Sequence, residues 1–435
     1  MTYLHEGASR LTALVTLAAA LAAPAAHAAE GPTEDSLWYY EIGGAEPVSA
    51  PANPSVVSVT LGGSAQLGLG YSCAKFDPVL AVTNILNDVK SGVDAMMNAM
   101  TAAASSAIAA LPDGEYTAEG TIDDDGLGNG PVPVRLRLTV AGNGMQIDLA
   151  GSAAQAAGPV NCGLTQTVAA ARVAYKLLIC SDVSPNGGSF RALDVSAPEA
   201  SIFNAQEPAP CGWYFTPLGL LIDLIVKALA PVMPERAAGA HYGDSMVITI
   251  AGTDPRQNHA RYLMIEPTTG GWGAFDGGDG ASSLINNVNG SFKDLPIEIF
   301  ESKYPLRILE YSIRQDSGGA GRYRGGNGTS RKYRVEADSS LWLWFERSDT
   351  PAWGLFGGGD GEKPVVRIER PGEAPVECLK INDFSLPVGT IIHSLTGGGG
   401  GYGDAAERDP EAVREDLLDG FISEEHARSV YGYTG

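Results

Sequence analysis

The chain has 435 residues, of which 44% are hydrophobic and 18% charged, so it is not intrinsically disordered and two or three folded domains are expected. Its formal net charge is −22. This balance argues against nucleic acid as a partner, because phosphate contacts need clustered lysine and arginine. The five cysteines (Cys73, Cys162, Cys180, Cys211 and Cys378) show no zinc-type spacing, and we interpret them as buried thiols.

Residues 1–28 are predicted to be a secretory signal peptide. Arg10 precedes an apolar segment at residues 11–23, and Ala26-His27-Ala28 fits a signal-peptidase site. The apolar segment is shorter than the roughly 20 residues of a membrane span. Residues 218–230 are also apolar, but charged side chains interrupt them. We therefore expect a periplasmic or secreted protein with no membrane span after signal cleavage.

Residues 29–111 form the next predicted segment. Short strand patterns at residues 36–44 and 56–69 precede a long helix predicted over 78–110, with Asp77 as its N-cap and Pro78 in its first turn. One face of this helix carries a stripe of apolar residues at helical spacing: Val82, Ile85, Leu86, Val89, Val93, Met96, Met97 and Met100. Such a stripe favours core packing or a surface for another helix.

Three sequences in this segment carry a resemblance. They are WYYEIGGAEPVSAP at 38–51, LGLGYSCAKFDP at 67–78 and VTNILN at 82–87. The segment resembles the start of a family of exported proteins encoded on integrating conjugative elements. The resemblance agrees with a signal peptide and implies no particular chemistry.

From residue 112 the pattern changes to short strands separated by glycine and proline turns. Strands are predicted at 115–121, 132–140, 145–149, 247–251, 261–265, 306–313, 341–347 and 365–368. A tight turn at Asn143-Gly144 joins the second and third of them. Helices are predicted at 165–179 and 218–229, and two short helices, introduced by Asp409 and Ser423, close the chain. The predicted fold class is α+β, mainly antiparallel β-structure with glycine-rich loops and a few helices.

The most distinctive stretch is residues 316–334, DSGGAGRYRGGNGTSRKYR, which lies between two strand patterns. Its glycines allow positive φ angles and close backbone approach. Guanidinium groups bind anions in a bidentate manner, so Arg322 and Arg324 are candidates for holding an anionic group of the substrate or of a phosphorylated intermediate. Asp316 is a further candidate for the substrate- or anion-binding site. Alternatively, the two arginines pair with Asp316, Glu310 or Glu346 and hold the loop in place.

Two further glycine-rich stretches have open interpretations. Trp272, in GGWGA, is a candidate platform for a ligand or an anchor in the core. The glycines at 397–401 could cradle a phosphate through their backbone N–H groups, but a tight loop before the C-terminal helices is the favoured interpretation. No nucleotide-binding P-loop and no Ser-His-Asp arrangement is apparent.

A long series of motifs identifies the region 112–435. They include PDGEY (112–116), GPVN (158–161), NGGSFR (186–191), ALAPVMPER (228–236), DLPIEIFESKYPLRI (294–308), GLFGG (354–358) and the segment 398–432 that begins GGGGYGDAAERDPE. With the stretches around Trp272 and at 316–328, they closely resemble the hydantoinase B/oxoprolinase family.

This resemblance implies the hydrolytic subunit of an ATP-dependent enzyme that opens small cyclic amides, such as 5-oxoproline, N-methylhydantoin or caprolactam, with acetone-type carboxylases as relatives. The implied partner is an actin-like, ATP-binding hydantoinase A-type subunit, and many members use a divalent metal. The family portion that holds the metal is expected before residue 112 and is not recognisable here. The histidines outside the signal region (His241, His259, His393 and His426) are scattered. We therefore predict no metal site and no cofactor bound by this chain alone, and we interpret these histidines as surface or hydrogen-bonded residues.

Three functional hypotheses follow. The chain is a cyclic amide hydrolase subunit, a non-enzymatic periplasmic component of conjugative transfer, or an inactive fusion of the two. The signal peptide favours the periplasm, whereas the hydantoinase resemblance implies the cytoplasm.

Overall fold

The structure, a computed structural model, describes residues 56–61, 65–70, 78–181, 184–290 and 292–435. The predicted signal peptide and the likeness at 38–51 lie outside these residues. The chain divides into two units, residues 1–104 with 184–191 and residues 105–183 with 192–435.

In the described part of the smaller unit, a hairpin precedes a long helix. Strands β1 (Val56–Leu61) and β2 (Ala65–Gly70) are antiparallel, and helix α1 covers Pro78–Ala109, of which residues 78–104 belong to this unit. A single 3₁₀ turn, Gly187–Phe190, packs against α1, where Thr101 Oγ1 donates to Gly188 O at 2.9 Å.

The larger unit begins with a four-stranded sheet. It contains β3 (Gly114–Ile122), β4 (Val132–Ala141), β5 (Gly144–Asp148) and β6 (Leu193–Ser196), of which only β6 runs parallel to its neighbour. Residues of β4 alternate between buried and exposed, as its sequence VPVRLRLTVA predicts. The turn after β4 consists of Gly142 and Asn143, not Asn143-Gly144. Gly142 has φ +59°, which suits glycine at the first position of a two-residue turn.

One helix packs against this sheet, and a second helix packs against the first. Helix α2 covers Leu164–Ile179 and helix α3 covers Phe215–Leu229, and α3 contacts β3, β4 and α2. Among the described helices, the stretch Phe215–Val232 is long and apolar enough to cross a membrane, but 78% of it is buried inside the protein. The burial is that of a core helix.

Two more sheets enclose a hydrophobic core of their own. One has the strand order β14-β11-β7-β8 and the other β13-β12-β15-β10-β9, and neighbouring strands are antiparallel. Buried side chains from both sheets form one cluster that includes Ile250, Phe345, Tyr333 and Ile392. The strand bounds are β7 Val247–Asp254, β8 Ala260–Glu266, β9 Leu306–Ile313, β10 Thr329–Val335, β11 Ser339–Trp344, β12 Val365–Glu369, β13 Val376–Glu377, β14 Lys380–Leu386 and β15 Ile391–Leu395.

Three short helices complete this unit. Helix α4 (Ile297–Lys303) leads into β9, and helices α5 (Pro410–Leu418) and α6 (Glu424–Tyr431) close the chain. The side chains of Asp409 and Ser423 accept hydrogen bonds from backbone N–H groups at the starts of α5 and α6, as their sequences predict. The mixed, mostly antiparallel architecture confirms the predicted fold class.

Candidate functional site

The glycine-rich loop between β9 and β10 is interleaved with two other glycine-rich segments. Gly319 N donates to Gly399 O at 2.8 Å, Gly399 N donates to Gly326 O at 2.9 Å, and Gly326 N donates to Trp272 O at 2.8 Å. None of the loop's glycines, within the described chain, has a positive φ angle. They are required because the backbones cross at distances that leave no room for a Cβ atom.

The glycines at 397–401 use their backbone N–H groups inside this crossing. The N–H groups of Gly398, Gly399, Gly400 and Gly401 donate to the carbonyl oxygens of Glu362, Gly326, Ala240 and Gly359. A phosphate cradle needs N–H groups that are free to bind an anion. The arrangement therefore favours the tight-loop interpretation.

Arg324 lies in a buried ion network rather than in an open anion site. It is 3% exposed, and its Nε and Nη2 donate to the two carboxylate oxygens of Asp416 at 3.2 and 3.1 Å. Arg408 joins the network by donating to Asp416 at 2.6 Å and to Asp279 at 2.7 Å. Burial alone would raise the pKa of Asp279, but the hydrogen bond and charge of Arg408 lower it. We call these four residues the C-terminal ion network.

The acids considered as partners of Arg322 and Arg324 are engaged elsewhere. Glu310 pairs with Lys332 at 3.1 Å, and Glu346 pairs with Lys380. Asp316 accepts a hydrogen bond from Ser423 N at 2.7 Å and so anchors the start of α6.

Arg322 lies on the surface. Its side chain is exposed, and its guanidinium carbon is 5.4 Å from the centre of the Tyr323 ring. The four candidate side chains therefore have separate surroundings, although hydrogen bonds of the backbone connect the loops that carry Arg324 and Trp272. Anion binding by Arg322 remains a prediction.

Trp272 lies beside a buried polar cluster that the sequence did not reveal. Its Nε1 donates to Ile285 O at 2.7 Å, and its ring centre is 6.2 Å from that of His241. His241 is 3% exposed, and its Nδ1 is 2.7 Å from Asp223 Oδ2 on helix α3. Arg347 also binds Asp223 Oδ2, and Asn287 Nδ2 donates to Asp223 Oδ1 at 3.2 Å. We call Asp223, His241, Asn287 and Arg347 the Asp223 cluster.

The 2.7 Å contact with Asp223 favours the His241 tautomer with its hydrogen on Nδ1, although Asn287 Nδ2 also lies 3.2 Å from Nδ1. A carboxylate only accepts hydrogen bonds, so Nδ1 carries the hydrogen that Asp223 receives and the neutral ring has its lone pair on Nε2. Within the described residues, His241 Nε2, Asn287 Oδ1 and Arg347 Nη1 are buried without a hydrogen-bond partner. A carboxylate-oriented imidazole with an unpaired nitrogen is the arrangement of a proton acceptor.

Asp244 lies close to this cluster and has an unusual acidity. Its side chain is 1% exposed, and it accepts hydrogen bonds from Thr216 Oγ1 at 2.9 Å and from Met246 N at 2.7 Å. Burial raises the pKa of Asp244 to about 6, which the hydrogen bonds of Met246 and Thr216 only partly offset. Asp244 and Arg347 also line a cavity of about 10 Å³, which has room for roughly one water molecule.

The Asp244→Asn variant is expected to change the pH dependence of stability. Because the folded-state pKa is raised, the stability contribution of Asp244 is full below its unfolded pKa near 4 and is lost as the pH rises to about 6. The free energy of unfolding of the wild type, relative to the variant, should therefore fall by about 2–3 kcal/mol from pH 4 to 7. Denaturant titrations across this range would measure it. The exposed Asp383→Asn is the control, and equal pH profiles for the wild type and Asp244→Asn would contradict the prediction.

Among the described residues, no group of three or more His, Cys, Asp or Glu side chains is arranged to hold a metal ion. We therefore derive no chemical step through a metal. The arrangement instead combines a buried acid–base pair, an aromatic wall at Trp272 and a rigid glycine-rich support.

Comparisons with known proteins identify the family. The profile of the hydantoinase B/oxoprolinase family matches residues 83–405, and the chain belongs to this family. The match begins at residue 83, inside α1. The motifs that carry the resemblance begin later, at residue 112.

Individual relatives agree with this assignment. The chain is 31% identical over 363 residues to the B component of a putative D-/L-hydantoinase from a Pseudomonas species, covering 80% of this chain and 60% of the relative. It is 30% identical over 336 residues to the beta subunit of the caprolactamase of Pseudomonas jessenii, covering 74% and 57%. The chain thus spans somewhat over half the length of these relatives.

Two solved structures share the fold. The ATP-dependent caprolactamase of Pseudomonas jessenii superposes with a TM-score of 0.72 at 24% identity, over 80% of this chain and 62% of that one. A nucleotide-free acetone carboxylase superposes with a TM-score of 0.69 at 18% identity, over 81% and 54%.

Proposed function

We propose that this chain is the hydrolytic component of an ATP-dependent enzyme that opens small cyclic amides. The observation that carries the proposal is the family match over residues 83–405. Relatives named as the B component of a hydantoinase, the beta subunit of a caprolactamase and a 5-oxoprolinase support the same reaction class. The active enzyme would be a complex in which an actin-like partner of the A type binds ATP and phosphorylates the oxygen of the cyclic amide.

In this proposal the Asp223 cluster handles the proton of the attacking water. His241 Nε2 takes the proton as the water attacks the activated carbonyl carbon, and Asp223 holds the imidazole in the required tautomer. As the C–N bond of the ring breaks, His241 returns the proton to the substrate nitrogen, and the carbonyl carbon is left as an acyl phosphate. A second water then hydrolyses the acyl phosphate to the carboxylate and inorganic phosphate. His241 is closed to solvent in this structure, so the proposal requires that complex formation opens the space beside Trp272. Arg322, exposed on the glycine-rich loop, is proposed to contact an anionic group of the activated substrate.

Reconstitution tests the proposed function directly. The full chain would be combined with a purified A-type subunit, ATP and, in turn, 5-oxoproline, hydantoin and caprolactam. We expect ring-opened product and ADP to form only when both proteins are present. A complex that turns over none of these cyclic amides would overturn the proposal.

His241→Gln is expected to lower kcat of the reconstituted enzyme by about 100-fold or more, because glutamine can still donate to Asp223 but cannot accept the proton. The pH–rate profile should also lose the rise in rate with pH that reports deprotonation of a general base. His393→Gln is the control and should keep wild-type turnover, because His393 lies in β15, where its Nε2 contacts Ser330 Oγ at 2.9 Å and no member of the Asp223 cluster. A His241→Gln enzyme with an unchanged profile would exclude the proton-transfer role.

For a second candidate function, we propose that residues 1–28 direct export and that the segment 29–111 is distinct from the hydrolase region up to residue 82, because the family match begins at residue 83. The A-x-A pattern at 26–28 and the likeness to conjugative-element proteins support this. The second candidate function, which follows from export and from this likeness, is that of a non-enzymatic periplasmic component of conjugative transfer. N-terminal sequencing of the protein from fractionated cells distinguishes the two. A mature end after residue 28 in the periplasm favours the second function, and an uncleaved cytoplasmic chain excludes it.

A further inference from the structure

Strand β8 is the outer strand of its sheet and has an apolar surface. It pairs with β7 on one side, and no strand in the described part of the chain pairs with its other side. Leu263 is 56% exposed and Ile265 is 60% exposed. An edge strand has unpaired N–H and C=O groups, and exposed apolar side chains on it mark a site where another chain can pair.

A groove of about 700 Å³ runs along this edge. Its lining consists of four consecutive residues of β8, 260–263, of residues 254, 256 and 257 before that strand, and of residues 302–304 at the end of α4. Consecutive strand residues face opposite sides of a sheet, so a groove that touches all four follows the edge rather than one face. Ile299 on α4 is 52% exposed as well. The groove therefore has the course of an extended peptide.

The groove is cationic, although the whole chain has a net charge of −22. Arg256, Arg261 and Lys303 line it. Its acidic residue, Asp254, is paired with Arg256 at 3.0 Å, and Arg256 also donates to Glu301 O at 2.8 Å, which holds it in place. Arg261 and Lys303 are exposed and have no ion-pair partner among the residues that the structure describes. These charges would attract an acidic segment.

We propose that the edge of β8 docks the ATP-binding partner subunit. An extended acidic segment of the partner adds to the sheet as a strand and places apolar side chains over Leu263 and Ile265. This inference rests on the proposed function, which supplies the partner. A second copy of the chain fits less well, because symmetric pairing of two β8 edges would bring the cationic side chains of both copies together.

Binding of the A-type subunit to the full chain, measured by calorimetry, tests the proposal. The double variant Leu263→Asp/Ile265→Asp is expected to raise the Kd for the A-type subunit by about tenfold or more. The substitutions remove apolar contact area and repel an acidic segment of the partner. Leu418→Asp is the matched control, since Leu418 is 71% exposed on α5 and lies outside the groove. Arg261→Glu/Lys303→Glu should weaken binding and reduce its dependence on salt between about 50 and 300 mM. Thermal melting confirms that each variant is folded.

The outcomes separate this inference from the proposed function. Wild-type affinity of both double variants overturns docking at β8, even if the complex opens cyclic amides. A wild-type chain that binds no A-type subunit also overturns it, as does a change in self-association that leaves partner binding intact. If the β8 variants lose the partner but the wild-type complex hydrolyses no cyclic amide, docking stands and the proposed function fails.

Discussion

The variant Arg324→Ala is expected to lower the free energy of unfolding by about 3 kcal/mol and to leave turnover of the reconstituted enzyme unchanged below its melting temperature. The truncation leaves Asp416 buried with one cationic partner fewer and removes the 2.7 Å hydrogen bond to Gly325 O. Breaking a buried ion pair from one side costs about 3–5 kcal/mol, and the remaining contact of Asp416 with Arg408 places this case at the lower end.

Arg322→Ala is the matched control, two residues away in the same loop. Its side chain is exposed, so its removal should change stability by no more than about 0.5 kcal/mol. Denaturant unfolding of both variants, together with steady-state kinetics, separates the two interpretations of the loop. A stable Arg324→Ala enzyme with a raised KM or a lost kcat would contradict the structural role and restore Arg324 as an anion-binding residue.

The parts of the fold that the sequence predicted depend on local signals. Strand β9 has the predicted bounds, and α5 and α6 begin after the predicted caps, because alternation and capping act within a few residues. Strand β14 was not predicted. Its sequence KINDFSL does not alternate regularly, three of its seven residues are exposed and only Leu386 is fully buried, and its pairing with β11 forms it. The formation of such an edge strand depends on pairing with a neighbouring strand, and the strand's own sequence does not show that neighbour.

The candidate site shows the opposite balance. The sequence identified Arg324 as a charge that needs a counter-ion, but Asp416 lies 92 positions away. His241 has no local signal that distinguishes it from an ordinary polar residue, because its partner Asp223 is 18 positions earlier and Arg347 completes the cluster from 124 positions beyond Asp223. Side chains so distant along the chain meet only through the tertiary fold. The residue type indicates that a buried charge requires a counter-ion or a hydrogen-bond partner. The packing of α3 and of the glycine-rich segments determines which side chain supplies that partner.

The glycine crossing makes Gly325→Ala the other substitution with a large expected effect. A Cβ atom on Gly325 would lie 2.0 Å from Gly399 O and 2.6 Å from Gly399 C. Both are backbone atoms, so no side chain can rotate away. The two segments would have to separate, and the hydrogen bonds from Gly319 N to Gly399 O and from Gly399 N to Gly326 O would be strained or lost. We expect a loss of at least about 3 kcal/mol in the free energy of unfolding, or failure to fold.

Gly290→Ala is the matched control for Gly325→Ala. Nothing lies within 4 Å of a Cβ atom built on Gly290, and its φ angle is not positive, so alanine there should be neutral or slightly stabilising. Thermal melting and denaturant unfolding of the two variants measure the difference. If Gly325→Ala melted with the wild type, the backbone crossing could not be as close as described, and the glycines would need another explanation. If it unfolds early while Gly290→Ala does not, the glycines of this loop serve mainly to let three backbones meet, and the chemistry lies in the side chains that those backbones position.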